Sequence, residues 1–507
     1  MKRILLSLAL FAAACTGAPP PSSDPTIARI ETGQLKGVAA DEVIAFKGVP
    51  FAAPPVGKLR WQAPAPAAKW TGVRSAADYG FVCMQKYPTT DNGIGRQQPS
   101  EDCLTLNVWT QTLDGKRPVM VWIHGGGFVN GSGTAELYDG TQLAKRGVVI
   151  VTINYRMGRF GAFGHPLLTK EAAGKPTANY GMMDMIASVE WVKRNIKAFG
   201  GDPGNVTIFG ESAGGLAVNR LMISPNARGL FHKAIVESGA GREVPLYLNK
   251  PNALGQPSAE TTGEAFIKSL GVTAATTADL RAIPADKIIT AGDPTVAEAG
   301  PAIDGALMPV SVSEGFEKGL EAPVPYLSGS NSMEWPATSA TLQATLSRMM
   351  PLTQAEQDTL AKLYPDAETF AANIVGDLVF TEPALYLTTL HSRNQHRSYL
   401  YRFSVLSESV RDRMKGTRHA QERQYVFDTL HTAPYPSDAN DKKQAQVVGD
   451  YWVAFAKTGD PNGVGRPVWP NATQNREDVL LEFTNDGPVP KVAPYPERWK
   501  AIAERNK

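Results

Sequence analysis

A serine flanked by glycines, Gly210-Glu211-Ser212-Ala213-Gly214, follows the apolar run 206–209 and precedes a helical pattern that starts near Gly215. So sharp a strand-to-helix turn admits only small neighbours, and it lifts the Ser212 hydroxyl clear of the sheet as a nucleophile. It also sets the Ala213 N–H at a helix start. In a chain with 47 glycines the bare Gly-x-Ser-x-Gly pattern arises by chance, but the strand before it and the helix after it make it specific. A second cluster, His124-Gly125-Gly126-Gly127-Phe128, follows the apolar run 119–123. Tandem glycines let successive N–H groups face a ligand with no side chain in the way. Gly126, Gly127 and Ala213 would then offer three donors to the negative oxygen of a tetrahedral intermediate, and losing one such donor typically costs about 100- to 1000-fold in rate. This is acyl-transfer chemistry, and a serine needs a base to perform it. Five of the seven histidines, His232, His391, His396, His419 and His431, lie after Ser212, and spacing alone does not choose among them.

Both glycine clusters need a rigid frame. The runs 119–123, 148–153, 206–209 and 234–236 are short and apolar, as strands buried on both faces are. Between the second and third lies 179–199, with Met182, Met185, Ile186, Val189, Val192 and Ile196 at helical spacing. The runs 324–327 and 399–403 extend the same series. Alternation of this kind predicts an α/β fold with a large, mostly parallel central sheet flanked by helices. The Ala/Thr/Pro-rich stretch 246–301 reads as a helical insertion over the active site, where it would act as a lid.

Composition narrows the function classes. With 51 Lys+Arg against 49 Asp+Glu the chain lacks the basic bias of a nucleic-acid binder. No Cys-x-x-Cys or His/Cys cluster offers a metal site, and the chemistry above needs no cofactor. The three cysteines fit one modified residue plus one disulfide, or two buried free thiols. Residues 1–15 read as an export signal, with Lys2 and Arg3, an apolar run, and Ala12-Ala13-Ala14-Cys15 as the cleavage site. A cysteine in that place resembles a bacterial lipoprotein signal, in which Cys15 carries the lipid. Such signals usually have Leu where Ala12 stands, so cleavage with release is the alternative. Residues 16–26 form a Pro/Ser-rich tether, and 27–507 is read as one domain. The expected location is the periplasm or a lipid anchor at the outer membrane, with secretion as the alternative.

The family emerges from several motifs together. These are Glu101-Asp102-Cys103-Leu104-Thr105-Leu106-Asn107-Val108, Asn154-Tyr155-Arg156, Phe199-Gly200-Gly201-Asp202-Pro203 and the Gly-Glu-Ser-Ala-Gly turn. The chain resembles the type-B carboxylesterases, the cholinesterase-like branch of the α/β-hydrolases, from about Ile30 to Trp499. The resemblance implies an α/β-hydrolase fold, a small-molecule ester substrate and two further catalytic residues. The acid is implied at the end of Gly329-Ser330-Asn331-Ser332-Met333-Glu334, although the family usually has Asp where Met333 stands. The base is implied in Gly416-Thr417-Arg418-His419-Ala420-Gln421-Glu422, making the triad Ser212, Glu334 and His419. It further implies a Cys83–Cys103 disulfide, the structural ion pairs Arg60–Glu101 and Arg156–Asp184, and Glu211 and Ser238 as neighbours of the triad. His165 is read as structural.

Two rivals remain: a silent adhesion-type relative, which the intact triad disfavours, and a hydrolase of amides or carbamates. Cholinesterases stack the quaternary ammonium on a tryptophan in the first disulfide loop. Here 83–103 holds Tyr87 and Arg96 but no tryptophan, which disfavours choline esters. Arg96 is read first as a solvated surface residue and second as a contact for an acidic ester.

Overall fold

The computed structural model describes residues 24–86, 93–290, 300–472 and 478–506. The export signal with Cys15, most of the tether, and Tyr87 lie outside the described residues. Eleven strands form the main sheet: β1 (Val38–Ala40), β2 (Val43–Pro50), β3 (Thr105–Thr110), β4 (Arg117–Ile123), β5 (Val149–Ile153), β6 (Gly201–Glu211), β7 (Lys233–Glu237), β8 (Tyr326–Asn331), β9 (Ser398–Phe403), β10 (Val479–Thr484) and β11 (Gly487–Val492). Their spatial order is β11-β10-β9-β8-β7-β6-β4-β5-β3-β2-β1. From β5 across to β10 every neighbouring pair is parallel, while both margins are antiparallel. Each sequence-predicted strand is present, most of them a residue or several longer than its apolar core.

Period-two alternation explains why the central strands look uniformly apolar. In β4, Val119, Val121 and Ile123 enter the core on one face, and Met120 and Trp122 enter the core on the other. The predicted helix over 179–199 is α1 (Tyr180–Asn195), tightened into a last turn at Ile196–Phe199. Gly200 ends it at φ 69°, a conformation that glycine adopts without strain. Its six predicted apolar positions are all buried. Asp184 on this helix takes Arg156 bidentately at 2.7 and 2.8 Å, and burial of that carboxyl pushes its pKa up against the pull of the arginine.

A third apolar cluster stands apart from the two sheet faces. Leu346, Met350, Leu360, Phe370, Ile374 and Leu378 pack with Trp499 and Ile502 of the last helix. The chain between β8 and β9 supplies most of it through helices Leu342–Met349, Gln354–Ala361, Ala367–Gly376 and Glu382–Arg393. A five-residue π-helical turn, Asp377–Thr381, joins the last two. Among the described residues no helix is long and apolar enough to cross a membrane.

Candidate active site

Strand β6 ends in the glycine-flanked turn and runs straight into α2 (Ala213–Ile223), with Ser212 at φ 56° and ψ −124°. That backbone is strained for a residue with a Cβ, and its surroundings hold it. The Ser212 N–H donates to Glu237 O at 2.9 Å, and Ser212 O accepts from Leu216 at 2.8 Å. A Cβ on Gly210 would come within 2.6 Å of Ile123 O, and one on Gly215 within 2.8 Å of the Gly239 backbone. The small residues are thus required by the approach of β4 and of the β7 end, as well as by the turn itself.

The two loops carrying Glu334 and His419 are zipped together by their backbones. Met333 donates to Thr417 O at 2.9 Å and His419 to Glu334 O at 2.8 Å. Met333 therefore contributes through its main chain, which is why its departure from the family's aspartate leaves the loop intact. Across this zip His419 Nδ1 lies 2.7 Å from Glu334 Oε2, and Nε2 lies 2.9 Å from Ser212 Oγ. Glu334 accepts two further bonds on its other oxygen, from Ser238 Oγ and from Asn331 N, both at 2.6 Å. The imidazole is gripped by rings: Phe380 stacks on it at 4.5 Å and Trp335 meets it edge-on at 4.9 Å.

Carboxylates crowd this histidine. Glu211 Oε1 is 3.2 Å from His419 Nε2. Burial alone would lower the His419 pKa, but Glu211, then Glu334 and Glu422, outweigh it and raise it to about 9. Glu422, three residues beyond His419, is pushed up to about 8 by burial and by the charges of Glu211 and Glu334. Glu237, beneath the turn, accepts from Trp452 Nε1 at 2.8 Å, and burial holds its pKa well above the ordinary carboxylate range. Burial and the neighbouring carboxylates thus push Glu237 and Glu422 in the same direction, towards the protonated form.

The other histidines have different tasks. His391 is fully buried between Val324 O and Glu321, His232 accepts from Val206 N at 3.1 Å, and the His396 ring meets His391 at a tilt, 4.8 Å between centroids. His431 is exposed beside Glu136, and His165 caps the helix Pro166–Ala172. Of the five histidines after Ser212, only His419 meets the serine.

The glycine cluster lies over the same point. Gly126 (φ 103°) and Gly127 (φ 63°) occupy left-handed backbone, and the Gly126 carbonyl accepts from both Val129 and Asn130 at 3.0 Å. Gly127, Ser212 and Ala213 line one cleft, with Gly126 one residue back in the turn. The cleft encloses about 680 Å³, its open mouth included. Its walls come from three places: Phe128 and Leu216 beside the sheet, Ala240, Arg242 and Glu243 after β7, and Trp335, Met349, Met350, Leu378, Val379 and Phe380 opposite. Among the described residues no cluster of His, Cys, Asp or Glu suits a metal ion.

No described residue of 246–301 lines the cleft. The segment's described residues are helical at Ala259–Ser269, Thr277–Arg281 and Ala285–Thr290, and their contacts lie elsewhere. Phe266 meets Phe163, and Arg281 pairs with Glu171. The wall is built instead by the chain between β8 and β9. The residues that sequence reasoning passed over are Trp335, Phe380, Glu422, Arg242 and Glu243. Two had a signal: Trp335 adjoins Glu334, and Glu422 closes the same seven-residue motif as His419.

Structural features expected from the resemblance are in place. Cys83 and Cys103 are joined by a disulfide. Arg60 grips Glu101 at 2.5 and 2.6 Å, as Arg156 grips Asp184. Arg96 is almost wholly exposed, 3.9 Å from Glu136.

The sheet order and the strained serine turn at the end of β6 define the class: an α/β-hydrolase fold. The model of the carboxylesterase family matches residues 24–369 and 350–491. The chain is 34% identical to the para-nitrobenzyl esterase of Bacillus subtilis over 90% of this chain and 94% of that protein. It is 34% identical to the fumonisin B1 esterase of Sphingopyxis macrogoltabida over 90% of this chain and 86% of that protein. Among solved structures, a PNB esterase superposes with a TM-score of 0.82 at 32% identity, covering 94% of this chain and 99% of the other. A carboxylesterase of Geobacillus stearothermophilus superposes at 0.81 and 32% identity, covering 94% and 100%. The chain belongs to the carboxylesterase family and is a carboxylic-ester hydrolase.

Proposed function

We propose that the protein cleaves small-molecule carboxylic esters through a Ser212–His419–Glu334 triad and an acyl-enzyme intermediate. The observation that carries this reading is the hydrogen-bonded chain Glu334–His419–Ser212, at 2.7 and 2.9 Å, ending in an apolar cleft. His419 Nε2 takes the Ser212 proton as Oγ attacks the ester carbonyl. The N–H groups of Gly126, Gly127 and Ala213 receive the charge that develops on the carbonyl oxygen. When the intermediate collapses, His419 returns the proton to the leaving alcohol. Water then enters, gives its proton to His419 and attacks the acyl carbon, and Ser212 leaves reprotonated as the acid departs. Glu334 fixes the imidazole with Nδ1 protonated, and its two other donors, Ser238 and Asn331, keep it in place. Glu211 favours the imidazolium that exists at each tetrahedral stage.

The same reading includes export, with residues 1–15 as the leader and Cys15 as the lipidated first residue of a domain spanning 27–507. The Cys83–Cys103 disulfide supports an oxidising compartment. The mass of the mature N-terminus in the native host checks it: a free, unmodified residue there would remove the anchor.

Hydrolysis of para-nitrophenyl acetate, butyrate and decanoate by the wild type beside Ser212→Ala tests the chemistry. The variant is expected to lose several orders of magnitude, up to about a millionfold in kcat. Equal rates in both proteins would remove Ser212 from the mechanism.

A further inference from the structure

The ring stacked on His419 is presented by a distorted helix. In a regular helix, residues three apart share one face. The wider π-helical turn Asp377–Thr381 instead sends Asp377 and Phe380 to different partners. Asp377 Oδ2 accepts from Tyr364 Oη at 2.7 Å and from Arg498 Nη1 at 3.1 Å. Phe380 reaches His419, with ring centroids 4.5 Å apart and planes inclined by 27°. Trp335 meets Phe380 in a T-shaped contact at 4.8 Å. One residue ahead of the turn, a Cβ on Gly376 would come within 2.7 Å of the Glu334 Cβ. The turn is thus anchored from behind and seated against the acid and the base alike.

Stacking alone assigns no role, since His124 also lies on Tyr155, at 4.3 Å. The Phe380 stack differs because its histidine changes charge during turnover. Dispersion between the rings is much the same for imidazole and imidazolium. The negative face of the Phe380 ring, by contrast, attracts only the charged form. That form exists while His419 holds the Ser212 proton. Phe380 is 3% exposed and the His419 side chain 12%, so little water screens the attraction. An interaction that is weak in the ground state and strong in the transition state lowers the barrier.

We propose that Phe380 is a positioning residue that acts through His419, its ring face stabilising the imidazolium at each tetrahedral stage by cation–π attraction. This inference rests on the reading of His419 as the base of Ser212. The charges around the imidazole act in parallel with the ring. Glu211, Glu334 and Glu422 face it, and Arg423 stands 3.9 Å from Glu211. Asp377, on the same turn as Phe380, is engaged by Arg498 and Tyr364.

The test replaces Phe380 with mono-, di- and pentafluorinated phenylalanine, which keep the ring and progressively drain its face of negative charge. kcat/KM for para-nitrophenyl acetate is followed on both sides of its pH midpoint. On the alkaline plateau the free enzyme holds neutral His419. There kcat/KM is expected to fall stepwise along the series, by about tenfold at the pentafluoro ring. The midpoint is expected to drop by about one pH unit with it, because the imidazolium loses its proton more easily. On the acid limb the free enzyme and the transition state both carry the imidazolium. The ring's contribution cancels there, and the profiles should coincide. A packing role would lower both limbs together. The monofluoro ring, barely larger than the natural one, keeps the comparison open should the pentafluoro ring not be accommodated. Phe380→Leu should also lower the midpoint. Profiles that coincide on the plateau, a fall that is equal on both limbs, or a midpoint unmoved throughout would each overturn the inference. Turnover that survives Ser212→Ala, or a wild type without an acid limb, defeats instead the reading on which it rests.

Discussion

The two sides of the cleft are built on different principles. On the sheet side, Ser212 and the glycine cluster are positioned by backbone. Main-chain bonds to Glu237 and from Leu216 hold the serine, and the approach of Ile123 and Gly239 leaves no space for a Cβ. On the opposite side, Met349, Leu378 and Val379 lie on helical turns and Met350 just past one, in a layer whose apolar residues pack mainly among themselves and against Trp499 and Ile502. One side has a single solution, and the other has a packing that many side chains would satisfy. Substitution is sterically forbidden on the side that carries Ser212 and tolerated on the side that faces it. His419 bridges the two: Glu334 and Ser212 hold its nitrogens, while Phe380 and Trp335 of the wall hold its ring faces.

The contrast is broken most directly by placing a side chain on the sheet side. Gly214→Val puts carbon against Ile123 O and within 2.8 Å of His124 O, both backbone atoms that cannot give way. No folded protein is expected, read as loss of soluble, cooperatively melting material; a stable variant would show that the turn has slack. Next in size is the electrostatics of the bridge. Esterolysis needs His419 neutral, and its pKa is raised to about 9, so kcat/KM should climb with pH towards that value. Removing a negative neighbour favours the neutral imidazole, so Glu211→Gln should move the midpoint to lower pH. Glu334→Gln should shift it in the same direction while also lowering the plateau, because a neutral amide neither stabilises the imidazolium nor fixes the Nδ1 proton as the carboxylate does. A midpoint indifferent to Glu211→Gln would mean that this carboxyl is already protonated. The smallest effect is expected on the wall. Met349→Phe narrows the cleft and should reduce the decanoate-to-acetate ratio of para-nitrophenyl esters by about tenfold, with acetate turnover retained. A fall in acetate turnover as large as in the decanoate case would place Met349 close to the chemistry and blur the two sides.

How much was legible before any coordinates follows the same division. The serine turn and the glycine cluster could be read because a steric demand is written directly into residue size. The strands carrying them could be read because burial on both faces leaves an unbroken apolar run. Glu334 and His419 lie 85 residues apart, and His419 is 207 residues from Ser212. No local pattern links them, and only resemblance to a family supplied them. No described residue of 246–301 lines the cleft, because composition announces an insertion without saying which way it packs. The true wall was passed over because its helices are short and its apolar residues are spaced to meet one another, with no long run to mark them. The carboxylate cluster was half visible: Glu211 and Glu422 stand inside quoted motifs, but their mutual closeness does not.

By itself the sequence determined the order of the sheet's central strands along the chain, the strained turn at Ser212 and the chemistry such a turn serves. Each of these follows from local backbone sterics and side-chain periodicity, which act over a few residues. Only the tertiary structure decided which histidine meets the serine, which segment walls the cleft and which carboxyls are buried together around His419. Those outcomes depend on distances between residues far apart in the chain, and such distances arise only when the sheet closes and its loops pack together.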